Sequence, residues 1–453
     1  MQRKVFVSLL SFACCAACVE RGDVLMPPPE PNEGPQAGAG GSVAGSAGSA
    51  PEAGAAGVSG ANTAGASGAL GGAAGEGGQG EGGTPAPSPL SASEVRAGML
   101  HTCAIYSGRT YCWGANDAGQ LGLGDGADTQ RLEPTRLPGD QVWRHLALGE
   151  AHTCALDDLG RVYCWGSNDH GQLGQGDRTA RNTPVLVTLP NRATELSSDF
   201  EHTCARLSDF TLYCWGQNYE GQLGQDDAFP GQDSDEADGL FPLQVGDAQW
   251  NAVDTGQGHT CGILLDGALY CWGRNSEYEL GTEPEGQIRR PTRVGADNDW
   301  LDVDAGQHHT CAVREDLSLW CWGQNTGSGD AEGFPLGIEG ATELAEPSVL
   351  EGDQDYALVR TNTFHTCALG RSSELYCWGR NAEGQLGLGN TAPEPTPVLI
   401  GSDYAAVSVA RFTTCVLTTG GVVQCAGKND AGELGTGNLE RQNTFTDVIA
   451  PTL

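Results

Sequence analysis

Apolar residues recur along residues 91–453 on a period close to fifty, and within each period they occupy the same places. Eight residues before a cysteine stands Val95, Leu146, Leu196, Val253, Val303, Val359 or Val407. Three positions further upstream, five of the seven periods carry an aromatic residue: Trp143, Trp250, Trp300, Tyr356 and Tyr404. A short apolar segment bounded by turn residues predicts a strand. It breaks at Gly98, Gly149, Gly256 or Gly306, with Asp199 and Asn362 at the same place in two other periods. Those residue types tolerate a left-handed backbone, so a tight corner is expected there.

The next stretch reads as a hairpin, opened by His-Thr-Cys and closed by Cys-Trp-Gly. Its first cysteines are Cys103, Cys154, Cys204, Cys261, Cys311, Cys367 and Cys415. Their mates are Cys112, Cys164, Cys214, Cys271, Cys321, Cys377 and Cys425. In the second copy Cys154 faces Cys164, Ala155 faces Tyr163, Leu156 faces Val162 and Asp157 faces Arg161. That leaves Asp158-Leu159-Gly160 as a three-residue connection with Gly where a positive φ is wanted. Gly267 and Gly421 hold the same place, and the shorter first copy turns on Ser107-Gly108. Both loop lengths keep each cysteine opposite its mate. Non-hydrogen-bonded partners in an antiparallel pair lie about 4.5 Å apart at Cα, within disulfide range. Seven bridges are therefore expected, each contributing about 2–3 kcal/mol by loop closure.

After Cys-Trp-Gly, or its variant in the last copy, comes an Asn in every period: Asn116, Asn168, Asn218, Asn275, Asn325, Asn381 and Asn429. A Gly-Gln-Leu-Gly turn follows in most, as at Gly119–Gly122. The Asn is expected to bond local backbone and the Leu to plug an interface between units. A Pro-containing segment such as Pro134–Leu137, Pro184–Val187 or Pro291–Val294 supplies a further strand. Units of this length suit one four-stranded propeller blade, and seven packed in a ring bury faces that a single one cannot. The expected fold is all-β, a seven-bladed propeller over residues 91–453 that forms one domain.

Composition then bears on compartment and partners. The chain carries 24 Lys and Arg against 58 Asp and Glu, a formal charge of −34. That surface repels phosphate backbones and argues against nucleic acid as a partner. It is expected to keep the protein soluble and monomeric. Evenly paired cysteines imply an oxidising compartment. His and two Cys per period could instead be three zinc ligands, but the opposed register and the lack of a fourth recurrent ligand favour disulfides. Arg3 and Lys4 precede an apolar run from Val5 to Cys18 that is too short to span a membrane, so residues 1–18 are expected to be a signal peptide. Ala16-Ala17-Cys18 resembles a bacterial lipoprotein processing site, although Cys15 stands where an aliphatic residue is usual. Cys18 is the expected lipidation site, with ordinary cleavage and full secretion as the alternative. Residues 19–90, Pro-containing and then rich in Gly, Ala and Ser, read as a disordered linker, whose stretch 27–90 has a mean span of roughly 40 Å.

The pattern Ala-Gly-x-x-His-Thr-Cys-Ala-Leu…Tyr-Cys-Trp-Gly-x-Asn-x-x-Gly-Gln-Leu-Gly resembles the repeat of the regulator of chromosome condensation family, throughout residues 91–453. The resemblance implies that family's seven-bladed propeller, with the cysteine pairs as an adaptation to secretion. The family's namesake is an exchange factor for a small GTPase and binds chromatin. Neither activity is carried over, because this chain reads as exported and acidic. A secreted bacterial propeller of this type inhibits β-lactamase, so the resemblance also implies recognition of another protein by loops on one face.

Residues repeated in every blade are expected to be structural. His101, His152, His202, His259, His309 and His365 should tie a corner by a buried hydrogen bond. Trp113, Trp165, Trp215, Trp272, Trp322 and Trp378 should pack between blades. Function should break the symmetry. Gln225–Phe241 inserts an acidic loop with Phe229 and Phe241 at its flanks. Thr326–Pro347 loses the Gly-Gln-Leu-Gly turn and carries Phe334 and Leu336. Phe229, Phe241, Phe334 and Leu336 are the candidate partner-binding residues, since longer loops on a rigid scaffold commonly carry binding. In the seventh period Thr413 replaces His and Ala426 replaces Trp, as expected of a unit that closes a ring. His145, His170 and His308 lie outside the repeated positions, with no catalytic constellation near them in sequence. No catalytic residue, metal or cofactor is expected, and the chain is not expected to be an enzyme. The expected function is an exported, membrane-anchored protein-binding module at the cell envelope. A glycan-binding propeller is the alternative, and catalysis would need a symmetry-breaking polar cluster in the central pore.

Overall fold

The computed structural model describes residues 90–124, 130–225, 238–283, 286–326 and 333–451. The expected signal peptide, Cys18, the linker as far as residue 89, and Phe229 lie outside the described residues.

Twenty-eight strands among the described residues form seven antiparallel sheets of four, each built from consecutive strands. In the first blade these are β1 (Ala92–Ala97), β2 (His101–Tyr106), β3 (Arg109–Gly114) and β4 (Arg131–Arg136). The first strand of each blade lines the pore and the fourth forms the rim. Val95, Leu146, Leu196, Val253, Val303, Val359 and Val407 are all buried.

The hairpin register is the one the loop lengths require, with Cys154 opposite Cys164 and Leu156 opposite Val162. All seven cassettes hold a disulfide with its Cα atoms 4.1 Å apart. Gly160, Gly267 and Gly421 adopt positive φ in the loops. Phe210, Leu317 and Ser373 take the same left-handed conformation without glycine, an uncommon backbone state for such residues.

The corner glycines behave differently from expectation. None of Gly98, Gly149, Gly256 and Gly306 has a positive φ. Space is what requires them. A Cβ on Gly98 would stand 2.8 Å from the His101 ring and 2.9 Å from the Gly149 carbonyl of the next blade.

Blades dock through one recurring arrangement. The Gln120 carbonyl, in the turn of blade one, accepts the Thr153 hydroxyl and the Trp165 indole N–H of blade two, each at 2.9 Å. Thr153 thereby spends its only proton, so it accepts from Nε2–H of His101 at 2.9 Å. The same His–Thr contact joins the following blades up to His365 and Thr414. In all six histidines Nδ1 is buried without a partner, which suits a neutral ring. In every turn the Asn side-chain oxygen accepts the N–H of a buried Leu, such as Leu173 from Asn168 at 3.0 Å.

The turn in the fifth blade is also present, contrary to expectation. Phe334-Pro335-Leu336-Gly337 replaces Gly-Gln-Leu-Gly, with Leu336 N bonded to Asn325 at 2.9 Å. The Pro335 carbonyl accepts Thr366 and Trp378 of the next blade. The extra residues precede a turn whose backbone duty proline can perform, because only its carbonyl is used.

The ring closes without exchanging a strand. The Glu433 carbonyl of blade seven accepts Thr102 at 2.8 Å and Trp113 at 2.9 Å, both from blade one. Ala92 N bonds Gly421 O, and Ala97 N bonds Ser408 Oγ.

Burial pushes His152 down to about 4, against an ordinary value of 6.5. A depressed histidine is neutral when folded and protonated when unfolded, so its contribution is complete above pH 6.5 and is lost as pH falls to about 4. Urea titrations should show the stability gap between wild type and His152→Gln narrowing over that window by up to about 3 kcal/mol. A gap independent of pH would contradict the neutral, buried imidazole.

Candidate functional site

Strand direction assigns loops to faces. Corners between first and second strands share one face with the loops between third and fourth strands. Hairpin tips and inter-blade links lie on the other. On the corner face, the residue after Cys-Trp-Gly donates its N–H to the carbonyl of the residue before the repeated His. Ala115 bonds Leu100, Ser167 bonds Ala151, Gln217 bonds Glu201 and Arg274 bonds Gly258. Gln324 bonds His308, Arg380 bonds Phe364 and Lys428 bonds Phe412 in the remaining blades. These two positions are thus held side by side around the ring, and neither is held to one residue type.

In blades two and three the face carries an acidic cluster around His170. Its Nδ1 lies 3.1 Å from Asp238 and 3.0 Å from Tyr219 Oη, and its Nε2 lies 3.1 Å from Glu201. Arg178 reaches the same Asp238 oxygen at 2.6 Å. The hydrogen bond to Asp238 holds the imidazolium above its ordinary range. With both nitrogens engaged, neither has a free lone pair for base catalysis. The cluster ties the end of the 225–241 insertion, through Asp238, to two blades. Asp238 lies 68 residues from His170 in sequence, which is why inspection of near neighbours missed the group.

In blades four and five Arg274 pairs with Glu279 at 2.8 Å and contacts His308 Nδ1. Burial, assisted by Arg274, lowers His308 to about 4. In blades six and seven Phe364 and Phe412 stack, with centroids 5.5 Å apart and planes at 26°. Arg380 sits over Phe364 at 4.9 Å, Arg411 over Phe412 at 5.1 Å and Lys428 Nζ over Phe412 at 5.6 Å.

The aromatic residues expected to bind a partner are not brought together. Phe241 is 60% exposed on the outermost strand of blade three, beside Gly176. Phe334 is half-buried in the turn of blade five. Leu336 is not available as a contact residue: it is fully buried and fills the interface position held by Leu121 in blade one. The patch at Phe364 and Phe412 was missed, though two consecutive repeats place Phe immediately before the His or Thr position and a cation after the following Gly.

The pore does hold a symmetry-breaking polar cluster, around a cavity of about 160 Å³. The innermost strands of blades one, four, five and six turn N–H groups toward a neighbouring blade, and pore side chains accept them. Ser197 Oγ accepts Thr255 N at 3.0 Å, Asp254 accepts Ala305 N at 2.8 Å, and Asp302 accepts Val359 N at 2.9 Å. Asp304 accepts Thr361 N in the same manner. Burial pushes Asp199, Asp254 and Asp304 upward. Arg360 is the countercharge, 3.0 Å from Asp302 and 3.6 Å from Asp304. This chemistry joins blades.

The RCC1-like domain family matches residues 58–410. The ultraviolet-B receptor UVR8 of Arabidopsis thaliana is 30% identical over 316 residues, 68% of this chain and 57% of the receptor. This chain thus spans little more than half the length of that relative. Human WBSCR16 superposes with a TM-score of 0.66 at 22% identity, covering 76% of this chain and 94% of that one. Yeast RCC1 (Prp20), solved bound to Kap60, gives 0.60 at 22% identity, covering 70% of this chain and 78% of that one. Both superpositions show the shared fold.

Arg360→Leu should cost about 2–4 kcal/mol in urea unfolding, because it strands carboxylates that accept backbone bonds in the pore. Adding Asp302→Asn should recover part of the loss. A neutral single substitution would contradict the countercharge role.

Proposed function

The chain belongs to the RCC1-like domain family, and on that premise we propose that it is an exported propeller that recognises a partner protein through its corner face. The observation that carries this reading is the distribution of sequence change. Positions that dock the blades are repeated, while the paired corner positions hold acids in one sector and cations with phenyl rings in another. A rigid ring presenting a bipolar face suits recognition of an extended, electrostatically complementary surface. Yeast RCC1, bound to Kap60, is a precedent within the fold for a propeller that engages another protein.

Export is proposed on separate grounds. Fourteen disulfide cysteines, one pair per blade, require an oxidising environment to form and persist. The charged and apolar N-terminus supplies a route, with Cys18 as a lipid anchor and residues 19–90 as a tether to the envelope. The partner on this reading is an envelope or extracellular protein.

Immobilised oxidised full chain should retain a protein from envelope or secreted fractions. A bait carrying Glu201→Gln and Arg380→Gln should lose it, while one carrying Arg136→Gln on a rim strand should keep it. Equal retention by all three baits would move the site off the corner face, and retention by none would sink the reading.

A further inference from the structure

On that reading, we propose that the sector formed by Phe364, Arg380, Arg411, Phe412 and Lys428 is the docking site for a carboxylate-rich segment of the partner protein. The fold forces these residues together. Phe364 and Phe412 occupy equivalent corners of adjacent blades, and each carbonyl is bonded to the N–H of a cationic residue, Arg380 or Lys428. Arg411 adds a third cation over both rings, 5.7 Å from Phe364 and 5.1 Å from Phe412.

Three cations gather here on a chain of net charge −34, and Lys428 is one of two lysines in the sequence, the other being Lys4. Lys428 pairs with Asp430 at 2.9 Å, a carboxylate that is itself 73% exposed. Among the described residues Arg411 forms no ion pair, and its Nε is buried without an acceptor. Arg411 differs from a rim arginine such as Arg289, which bonds Gln287, in lying over two stacked rings. The stacked rings hold it in place, and a guanidinium lying on an aromatic face keeps its N–H edge available for a bidentate carboxylate.

The acidic remainder of the surface narrows the ligand. An extended polyanion would meet repulsion over its whole length, whereas a short acidic segment feels mainly what lies within the screening distance of about 8 Å at physiological salt. The half-buried Phe412 ring adds apolar area for the stems of Glu side chains.

The test is fluorescence anisotropy with the oxidised full chain and a labelled hexaglutamate peptide, with hexaglutamine as the neutral control. Wild type should bind hexaglutamate and ignore hexaglutamine, weakening as salt rises. Arg411→Gln should lower affinity about tenfold, and Arg411→Lys, which keeps charge but not the fork, by less. Arg289→Gln, on a rim strand, should have no effect. Near-UV circular dichroism identifies any variant that fails to fold; Lys428→Gln, also expected to weaken binding, then replaces it. Absence of hexaglutamate binding, indifference to both Arg411 and Lys428, or full competition by equimolar inorganic phosphate would overturn the proposal. A partner captured equally by wild-type and Arg411→Gln baits would overturn this site while leaving the protein-binding reading intact.

Discussion

The docking of blades in this fold depends on one carbonyl oxygen in each of six blades. At Gln120, Gln172, Gln222, Glu279, Pro335 and Glu433 that oxygen accepts both a threonine hydroxyl and an indole N–H from the next blade. The two donors reach one acceptor because they are cross-strand partners, Thr153 opposite Trp165 for example, one residue from the disulfide. The covalent bridge thus fixes the pairing that makes docking possible. Histidine completes the arrangement from the blade behind, and the corner glycine makes room for its ring. His-Thr-Cys, Cys-Trp-Gly and the glycine are parts of one joint.

The seventh blade shows what happens when part of the joint is released. Ala426 has no indole to offer the blade before it, and Thr413 bonds the Lys428 carbonyl instead of reaching into the first blade. Closure survives because Glu433 still presents its oxygen to Thr102 and Trp113. The sector where the repeated residues are relaxed is also where the phenyl rings and cations collect. Constraint on blade docking and freedom on the corner face are therefore separated residue by residue within a single repeat.

Much of this was legible from spacing. Hairpin register, disulfide pairing and the burial of His and Trp follow from short-range geometry, which one repeat contains in full. Contacts between repeats were less legible. Gly98 looked like a left-handed corner because its real constraint, the His101 ring and the Gly149 carbonyl, comes partly from another blade. Leu336 looked like an exposed loop residue because Pro335 disguised a turn that needs only a carbonyl at that position. The His170 cluster and the Phe364–Phe412 stack assemble from distant segments, so no local motif announces them. Comparing equivalent positions across repeats, rather than reading along the chain, was the signal that could have found the stack.

The most direct test of the shared joint is a double-mutant cycle on His202 and Thr260, whose side chains meet at 2.9 Å across blades three and four. His202→Ala, Thr260→Val and the pair together would be unfolded in urea with all disulfides intact. Donation from Nε2–H to a hydroxyl already committed to the Gln222 carbonyl predicts a coupling energy of about 0.5–3 kcal/mol. Additive losses would mean that the two side chains stabilise their blades independently, and would contradict the joint as the interaction on which the ring depends.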